Sequence, residues 1–296
     1  MMANKDLEST VIEQVKSGRC SVERALLVVS GLENEEQIRA YQRKLDWIQQ
    51  DFGQSVNVRR SGSYDKAEAL FEYFWEKKPD RYNGDFLLAN VIDNQLDKDK
   101  NKRVGNCVGL TSLYSVLGVR LGLDLAALYS EDHVLSLLSC RGQEIAIENT
   151  LRDGFDCNLY KRAKFQKRDL LVLISTALNN RGAAKERLGS YDVAIRDYNK
   201  ALELEPDYAP AFNNRGNVKQ RLGDYDGAIL DYDRAIELEP GYARVFNNRG
   251  VAKFSLGDYA GAMQDYNTAL ELEPDFADAL HNRRIATKNL EKKTKP

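Results

Sequence analysis

NNRGNVKQRLGDYDGAILDYDRAIELEP, residues 213–240, decides the fold of the second half of this chain. The NNRG string also begins at Asn179 and Asn247, and a decayed copy, HNRR, begins at His281, each step being 34 residues. Leu-Gly recurs in phase at Leu188-Gly189, Leu222-Gly223 and Leu256-Gly257. So do Ala194, Ala228 and Ala262, then Tyr198, Tyr232 and Tyr266, then Pro206, Pro240 and Pro274. A fixed period of this length marks stacked helical units, because one unit alone cannot bury its apolar face. Each unit reads as a helix A, a turn at Leu-Gly, and a helix B that stops before Glu-Pro, since proline cannot continue a helix. Three repeats fit, 175–208, 209–242 and 243–276. Residues 277–293 begin another helix A and then turn charged, as a solubilising cap does.

This pattern resembles the tetratricopeptide repeat, TPR, an all-α solenoid whose A helices line a concave binding face. Gly182, Gly216 and Gly250 fall inside helices A, where glycine costs about 1 kcal/mol relative to alanine. Close helix approach to Ala194, Ala228 and Ala262 is the expected compensation, with the tyrosines and Ala201, Ala235 and Ala269 filling the gaps between units. Charge is divided between the layers. The A helices carry +2, +3 and +2, and the B helices −2, −4 and −3. A positive, asparagine-rich groove that prefers an acidic or C-terminal carboxylate peptide is expected, lined by Asn179, Arg187, Asn213, Asn214, Asn217, Arg221, Arg244 and Asn247. The competing reading pairs these bases with acids on neighbouring B helices. Some TPR proteins clamp a terminal carboxylate with Lys, Asn and Arg. By position Asn214 and Arg244 match that clamp, whereas Asn179, Ala183 and Asn248 depart from it.

The whole chain has 296 residues and a net charge of −2, which suggests about two domains and supplies no basic field for nucleic acid. Bases and acids balance in each half, 25 against 26 before residue 175 and 18 against 19 after it. The polar start MMANKDLEST has no signal-like apolar run, and the longest apolar stretch, 107–130, is broken by Arg120 and Asp124. No membrane association is expected. Cys20, Cys107, Cys140 and Cys157 are scattered without a C-x-x-C pair, which fits a reducing, cytoplasmic setting. With only His133 and His281 present, no His-rich metal site and no cofactor is expected.

The first hundred residues read as mostly helical. Ser21 is placed to cap a helix that Gly31 closes, and Ile38, Tyr41, Leu45 and Ile48 form a helical stripe. Residues 66–75 form a short amphipathic helix ending near Pro79. Asp97-x-Asp99-x-Asn101 has a faint look of a calcium loop, but no Gly or bidentate Glu follows in place, so a solvated loop is expected. Next, Gly105-Asn106 makes a turn, and Cys107, Leu110, Leu113, Tyr114, Leu117 and Leu121 keep helical spacing until Gly122. Cys107 thus stands in the first turn of a buried helix. Free backbone N–H groups and the helix dipole there favour a thiolate.

The period then changes to two. Residues 125–130, 133–139 and 144–148 read as strands, the last two joined through CRGQ. In this hairpin His133 faces Thr150 and Leu135 faces Glu148, so Glu148 is a diagonal neighbour of His133 on one sheet face. Asn149 points to the other face, and a slip of one residue would exchange them. Glu148 is therefore the expected partner of His133, and Asn149 the reserve.

A helix-start cysteine, a strand histidine and a next-strand carboxylate, in that order, resemble the transglutaminase-like branch of the papain superfamily. The matching residues are Gly105-Asn106-Cys107 with 110–114, Asp132-His133-Val134, 147–150, and Gly154-Phe155-Asp156. The resemblance is closest to proteins in which such a domain precedes TPR repeats. It implies an α+β, cysteine-protease-type domain at 1–172, followed by the solenoid at 173–296. Residues 161–174 would begin as a basic surface stretch and end by sealing the first repeat. It further implies nucleophilic attack by Cys107 on a peptide or glutamine amide, proton transfer by His133, and orientation by Glu148. The Cys107 N–H and one further donor, Asn101 or Asn106, would hold the oxyanion. Water as acceptor gives hydrolysis, and an amine gives acyl transfer. Cys20, Cys140 and Cys157 are read as structural. The alternative is a non-catalytic scaffold whose N-terminal domain only docks.

Overall fold

The computed structural model describes residues 2–55, 62–79, 81–130, 133–152, 154–155 and 165–294. Asp132, Asp156, Cys157 and residues 161–164, used in the sequence reading, lie outside the described residues. Two compact units divide the chain, 1–177 and 178–296.

The first unit opens with α1 (Met2–Lys16), α2 (Val22–Val29), α3 (Glu35–Ser55), α4 (Ser63–Lys77) and α5 (Leu88–Leu96). Ser21 caps α2 by accepting from the Arg24 N–H at 3.2 Å, and Gly31 follows its end at φ +91°, a left-handed conformation that favours glycine. Ile38, Leu45, Ile48 and Phe52 form the buried stripe of α3.

Next come α6 (Cys107–Arg120), then β1 (Leu125–Tyr129), β2 (Val134–Cys140), β3 (Gln143–Ile147) and β4 (Gln166–Arg168). They form a four-stranded antiparallel sheet in the order β3-β2-β1-β4. Ser136 faces Ile147 and Cys140 faces Gln143, the register expected from the hairpin loop. The edge strand β4 is an addition to the sequence reading, which gave Gln166–Arg168 no strand; three polar residues carry no period.

Helix α6 is buried from Val108 to Gly118. An apolar helix on an apolar sheet would have no fixed azimuth, and here polar side chains supply one. Thr111 donates to the Val134 carbonyl at 3.1 Å, and the Ser115 and Ser136 hydroxyls meet at 3.2 Å. Asn149, buried beyond β3, donates to Ser136 at 3.0 Å. Satisfied buried polar groups of this kind fix a unique arrangement at little net cost.

Helix α7 (Leu171–Arg187) starts earlier than the first repeat read from sequence and runs across the boundary between the units. The second unit continues with α8 (Tyr191–Leu204), α9 (Ala209–Arg221), α10 (Tyr225–Leu238), α11 (Ala243–Ser255), α12 (Tyr259–Leu272) and α13 (Ala277–Thr294). Helices A and B alternate through it as the period requires. The compensation for the helix-A glycines differs from expectation. A Cβ on Gly182, Gly216 or Gly250 would lie 2.7, 2.7 or 2.6 Å from the ring of Tyr198, Tyr232 or Tyr266. Each buried tyrosine lays its ring over the glycine, and the alanines Ala194, Ala228 and Ala262 are buried beside them.

Candidate functional site

The turn into α6 is built by hydrogen bonds. Asn106 caps the helix, its Oδ1 accepting from the Gly109 N–H at 3.1 Å, while its own N–H donates to the Asp85 carbonyl at 2.7 Å. The stretch before it is pinned beside residues 81–83: Val104 and Gly105 donate to the Arg81 carbonyl, and Asn83 donates to the Gly105 carbonyl. Glycine is required at 109, where a Cβ would meet a Val91 methyl at 2.5 Å and the Asp85 carbonyl at 2.8 Å. This leaves Cys107 as the first helical residue, half-buried, with its N–H unused by any hydrogen bond among the described residues.

His133 stands one residue before β2, the strand that packs against α6. Its Nε2 is hydrogen-bonded to Oε2 of Glu148, which follows β3. Cys107 and Glu148 both act on the imidazole, and together the thiol and the carboxylate push its pKa up to about 10 against the effect of burial. Burial pushes the Glu148 carboxyl up, but hydrogen bonds from His133 and Thr150 outweigh it and the net shift is down. The structure thus brings Cys107, His133 and Glu148 together. Asn149, the reserve partner, is turned to the opposite face and held by Ser136.

Thr150 is the residue that the sequence reading missed. Its hydroxyl and its N–H donate to Oε1 of Glu148 at 2.6 and 2.8 Å, fixing the carboxylate oxygen that His133 leaves free. The signal was local, a hydroxyl two residues after a carboxylate, a spacing that closes a side-chain turn. Of the two suggested oxyanion donors, Asn106 has spent its backbone N–H and its Oδ1 on the turn. Asn101 is exposed in the 97–101 loop, its N–H donating to Asp99. In that loop the buried Lys78 ammonium donates to the carbonyls of Asp97 and Asp99, the place a cation would take. Among the described residues no cluster of three His, Cys, Asp or Glu side chains could hold a metal ion. No helix among them is long and apolar enough to cross a membrane.

Cys20 and Cys140 are half-buried and free, and burial pushes the Cys20 thiol up. A cavity of about 590 Å³ lined by Val15, Cys20, Val22, Val119 and Leu173 contains none of Cys107, His133 and Glu148.

In the repeats, the expected groove is corrected in part. Asn179, Asn213 and Asn247 are buried, at 6%, 2% and 6% exposure, and do not line an open surface. Each accepts a hydrogen bond from the following repeat: Asn214 to Asn179 at 2.9 Å, Asn248 to Asn213 at 3.0 Å, and Asn282 to Asn247 at 3.0 Å. Asn217 accepts from Tyr232 and Asn248. The NNRG arginines are also engaged internally. Arg181, Arg215 and Arg249 each grip a buried aspartate, Asp197, Asp231 and Asp265, through two nitrogens. Lys219 and Lys253 join the last two at 2.8 Å. The opposite charges of the two layers are therefore largely spent on each other. Arg221 pairs with Glu186 at 3.1 Å, while Arg187 and Arg244 are exposed and form no ion pair among the described residues.

Family models agree with the period. A TPR-repeat model matches residues 182–223, and the tetratricopeptide-repeat model matches 209–242 and 243–276, the bounds of the second and third repeats. The second half of this chain is a TPR array, a protein-binding module. No curated protein matches the chain. Among solved structures, the first TPR of Spaghetti (RPAP3) bound to the HSP90 peptide SRMEEVD is 30% identical, covering 40% of this chain and 93% of that one, at a TM-score of 0.39. The first TPR domain of human RPAP3 is 30% identical, with coverage of 40% and 94% and a TM-score of 0.40. The Sgt2 TPR domain from Aspergillus fumigatus is 24% identical, with coverage of 41% and 84% and a TM-score of 0.40.

Proposed function

We propose that this chain is an adaptor that captures an acidic peptide on its TPR array and brings it to a cysteine centre in the N-terminal unit. The first half of the proposal rests on the array itself. Of the expected groove cations, Arg187 and Arg244 are exposed and form no ion pair among the described residues, which leaves them for a ligand. A fluorescent acidic peptide titrated into the full chain tests this. Two exposed charges at roughly 0–1 kcal/mol each correspond to about a tenfold loss of affinity in Arg187→Glu/Arg244→Glu. Equal affinity in that variant removes the electrostatic preference.

A second reading, catalysis, is favoured by one observation: His133 is held between Cys107 and Glu148. In this reading Cys107, as thiolate, attacks an amide carbonyl, and the imidazolium gives its proton to the departing amine as the C–N bond breaks. A thioester remains. Water, or an amine, then attacks with His133 as base, and Cys107 is released. In this reading the Cys107 N–H, without a hydrogen bond among the described residues, receives the developing oxyanion. Iodoacetamide labelling at neutral pH separates an active centre from a silent scaffold. Alkylation of Cys107 much faster than free cysteine, lost in His133→Ala, supports acyl-transfer or amide-hydrolysis chemistry; labelling at the free-thiol rate leaves the scaffold.

A further inference from the structure

Arg81 belongs to the stretch that runs beside the turn into α6, its carbonyl accepting from Val104 and Gly105 at 2.8 and 3.0 Å. Tyr82 bridges Gly105 in parallel, two residues before Cys107. The Arg81 side chain is inside the protein, the residue being 3% exposed. Its guanidinium carbon lies 4.9 Å from the Phe74 ring and 5.6 Å from the Trp75 ring. Its Nε is shielded from solvent and has no hydrogen-bond partner among the described residues, and the same holds for the indole Nε1 of Trp75. Two orphaned donors, one of them charged, therefore share one neighbourhood.

Buried arginines are normally paired, because dehydrating an ion costs far more than an aromatic face returns. Burial pushes the Arg81 pKa down to about 9, which still leaves it charged at neutral pH. The largely buried arginines of the repeats, Arg181, Arg215 and Arg249, each have a carboxylate. A planar fork and one further N–H suit a planar monoanion. A single positive charge would neutralise a carboxylate but leave a phosphate dianion half-compensated.

We propose that Arg81 and Trp75 form a receptor for a ligand carboxylate, on the segment that flanks the turn into α6. The carboxylate can come from an acidic side chain or from a chain terminus. The site stands apart from whether Cys107 reacts, since it is read by binding alone.

The chain has two tryptophans, Trp47 and Trp75, and Trp47 is 55% exposed. Full-length protein labelled with 5-fluorotryptophan then carries its own reference signal. Sodium acetate, the side-chain probe Ac-Gly-Glu-Gly-NH2 and the terminal probe Ac-Gly-Gly-Gly are titrated at constant ionic strength, with inorganic phosphate for comparison. The Trp75 resonance shifts saturably with acetate and with whichever peptide supplies the right carboxylate, more weakly with phosphate, while Trp47 stays fixed. Arg81→Met abolishes the shift without lowering the thermal midpoint, and Arg81→Lys, which keeps charge but loses the fork, weakens binding at least tenfold. A Trp75 signal unmoved by all three carboxylates overturns the site, as does an equal response in Arg81→Met. A large fall in midpoint for Arg81→Met with no probe response assigns Arg81 to a carboxylate of this chain and also ends the proposal.

Discussion

Nε2 of His133 and Oε2 of Glu148 are joined by a hydrogen bond, with the carboxylate side chain only 3% exposed and the imidazole 32% exposed. A carboxylate so deeply placed stays ionised because His133 and Thr150 both donate to it, one to each oxygen. The imidazole, in turn, is kept protonated well above its ordinary range. The charge of the histidine thus depends on Cys107 and on one buried acid, and the acid also fixes its position.

Glu148→Gln tests that dependence. The His133 pKa, pushed up to about 10, exceeds the ordinary 6.5. Its stabilising contribution is therefore complete below about pH 6.5 and is lost as pH rises toward about 10. In proton NMR the His133 ring of the wild type should titrate near the upper value, with His281 as the second, separate histidine signal. Glu148→Gln should bring the His133 midpoint down by at least a unit, about 1.4 kcal/mol of lost preference for the charged form. An unchanged midpoint would assign the shift to something other than Glu148.

Thr150 acts through Glu148 and is a positioning residue. Thr150→Val removes the 2.6 Å hydroxyl bond and leaves the 2.8 Å backbone bond. Losing one charge-assisted hydrogen bond costs about 1.5–3 kcal/mol at most. The expected result is a lower His133 midpoint and a several-fold slower alkylation of Cys107, both restored by Thr150→Ser. A general loss of stability with no change in the His133 midpoint would make Thr150 a merely structural residue.

What could be read from the sequence follows from how local each signal is. The repeats were legible because a period of 34 restates every contact three times, as at Gly216 with Tyr232 and Gly250 with Tyr266. The hairpin register, Ser136 opposite Ile147, was legible because a loop of Arg141-Gly142 and one of Cys140 to Gln143 give the same pairing. The destination of the NNRG asparagines was not. A polar residue on helix A looks the same whether it meets a ligand or, like Asn213, the next repeat. Only the stacking distance separates the two. Lys78 under the Asp97 and Asp99 carbonyls was likewise invisible, since nineteen and more residues of chain separate the partners.

Gly216→Ala measures how tightly the repeat is closed. Alanine gains about 1 kcal/mol of helix propensity, but its Cβ would stand 2.7 Å from the Tyr232 ring. Overpacking of a buried contact costs about 1–3 kcal/mol. The ring is buried and hydrogen-bonded to Asn217 at 2.8 Å, so it cannot simply swing away. A net lowering of the array's thermal midpoint is expected by circular dichroism; an increase would mean that the ring yields freely.

Asp231→Asn tests the charge pairing between layers. Asp231 is 4% exposed and accepts from Arg215 at 2.9 and 2.6 Å and from Lys219 at 2.8 Å. The variant leaves two half-buried cations without their anion, and breaking a buried pair in this way costs about 3–5 kcal/mol. The bases are about a fifth to a quarter exposed, which places the expectation toward the lower figure. Denaturant titration of the full chain should show the array transition displaced to lower urea, with the N-terminal transition unmoved. An array midpoint within error of the wild type would show that these charges do not hold the layers together.

Asn248 reaches across the repeat boundary to Asn213 and Asn217, donating to both at 3.0 Å. Neighbour coupling is what makes a repeat array unfold as a unit. Asn248→Ala removes both donations at once and strands the acceptor of the buried Asn213. A buried unsatisfied polar group costs about 1–3 kcal/mol, and here that cost falls on the interface between the second and third repeats. The expected outcome is a loss of cooperativity: hydrogen exchange of residues 243–294 should accelerate more than that of residues 191–221. Because Asn217 retains its bond from Tyr232, the second repeat keeps its own internal closure. Uniform acceleration along the array would place the stiffness in the apolar packing of Ala228, Tyr232 and Val245 rather than in the asparagine stitch.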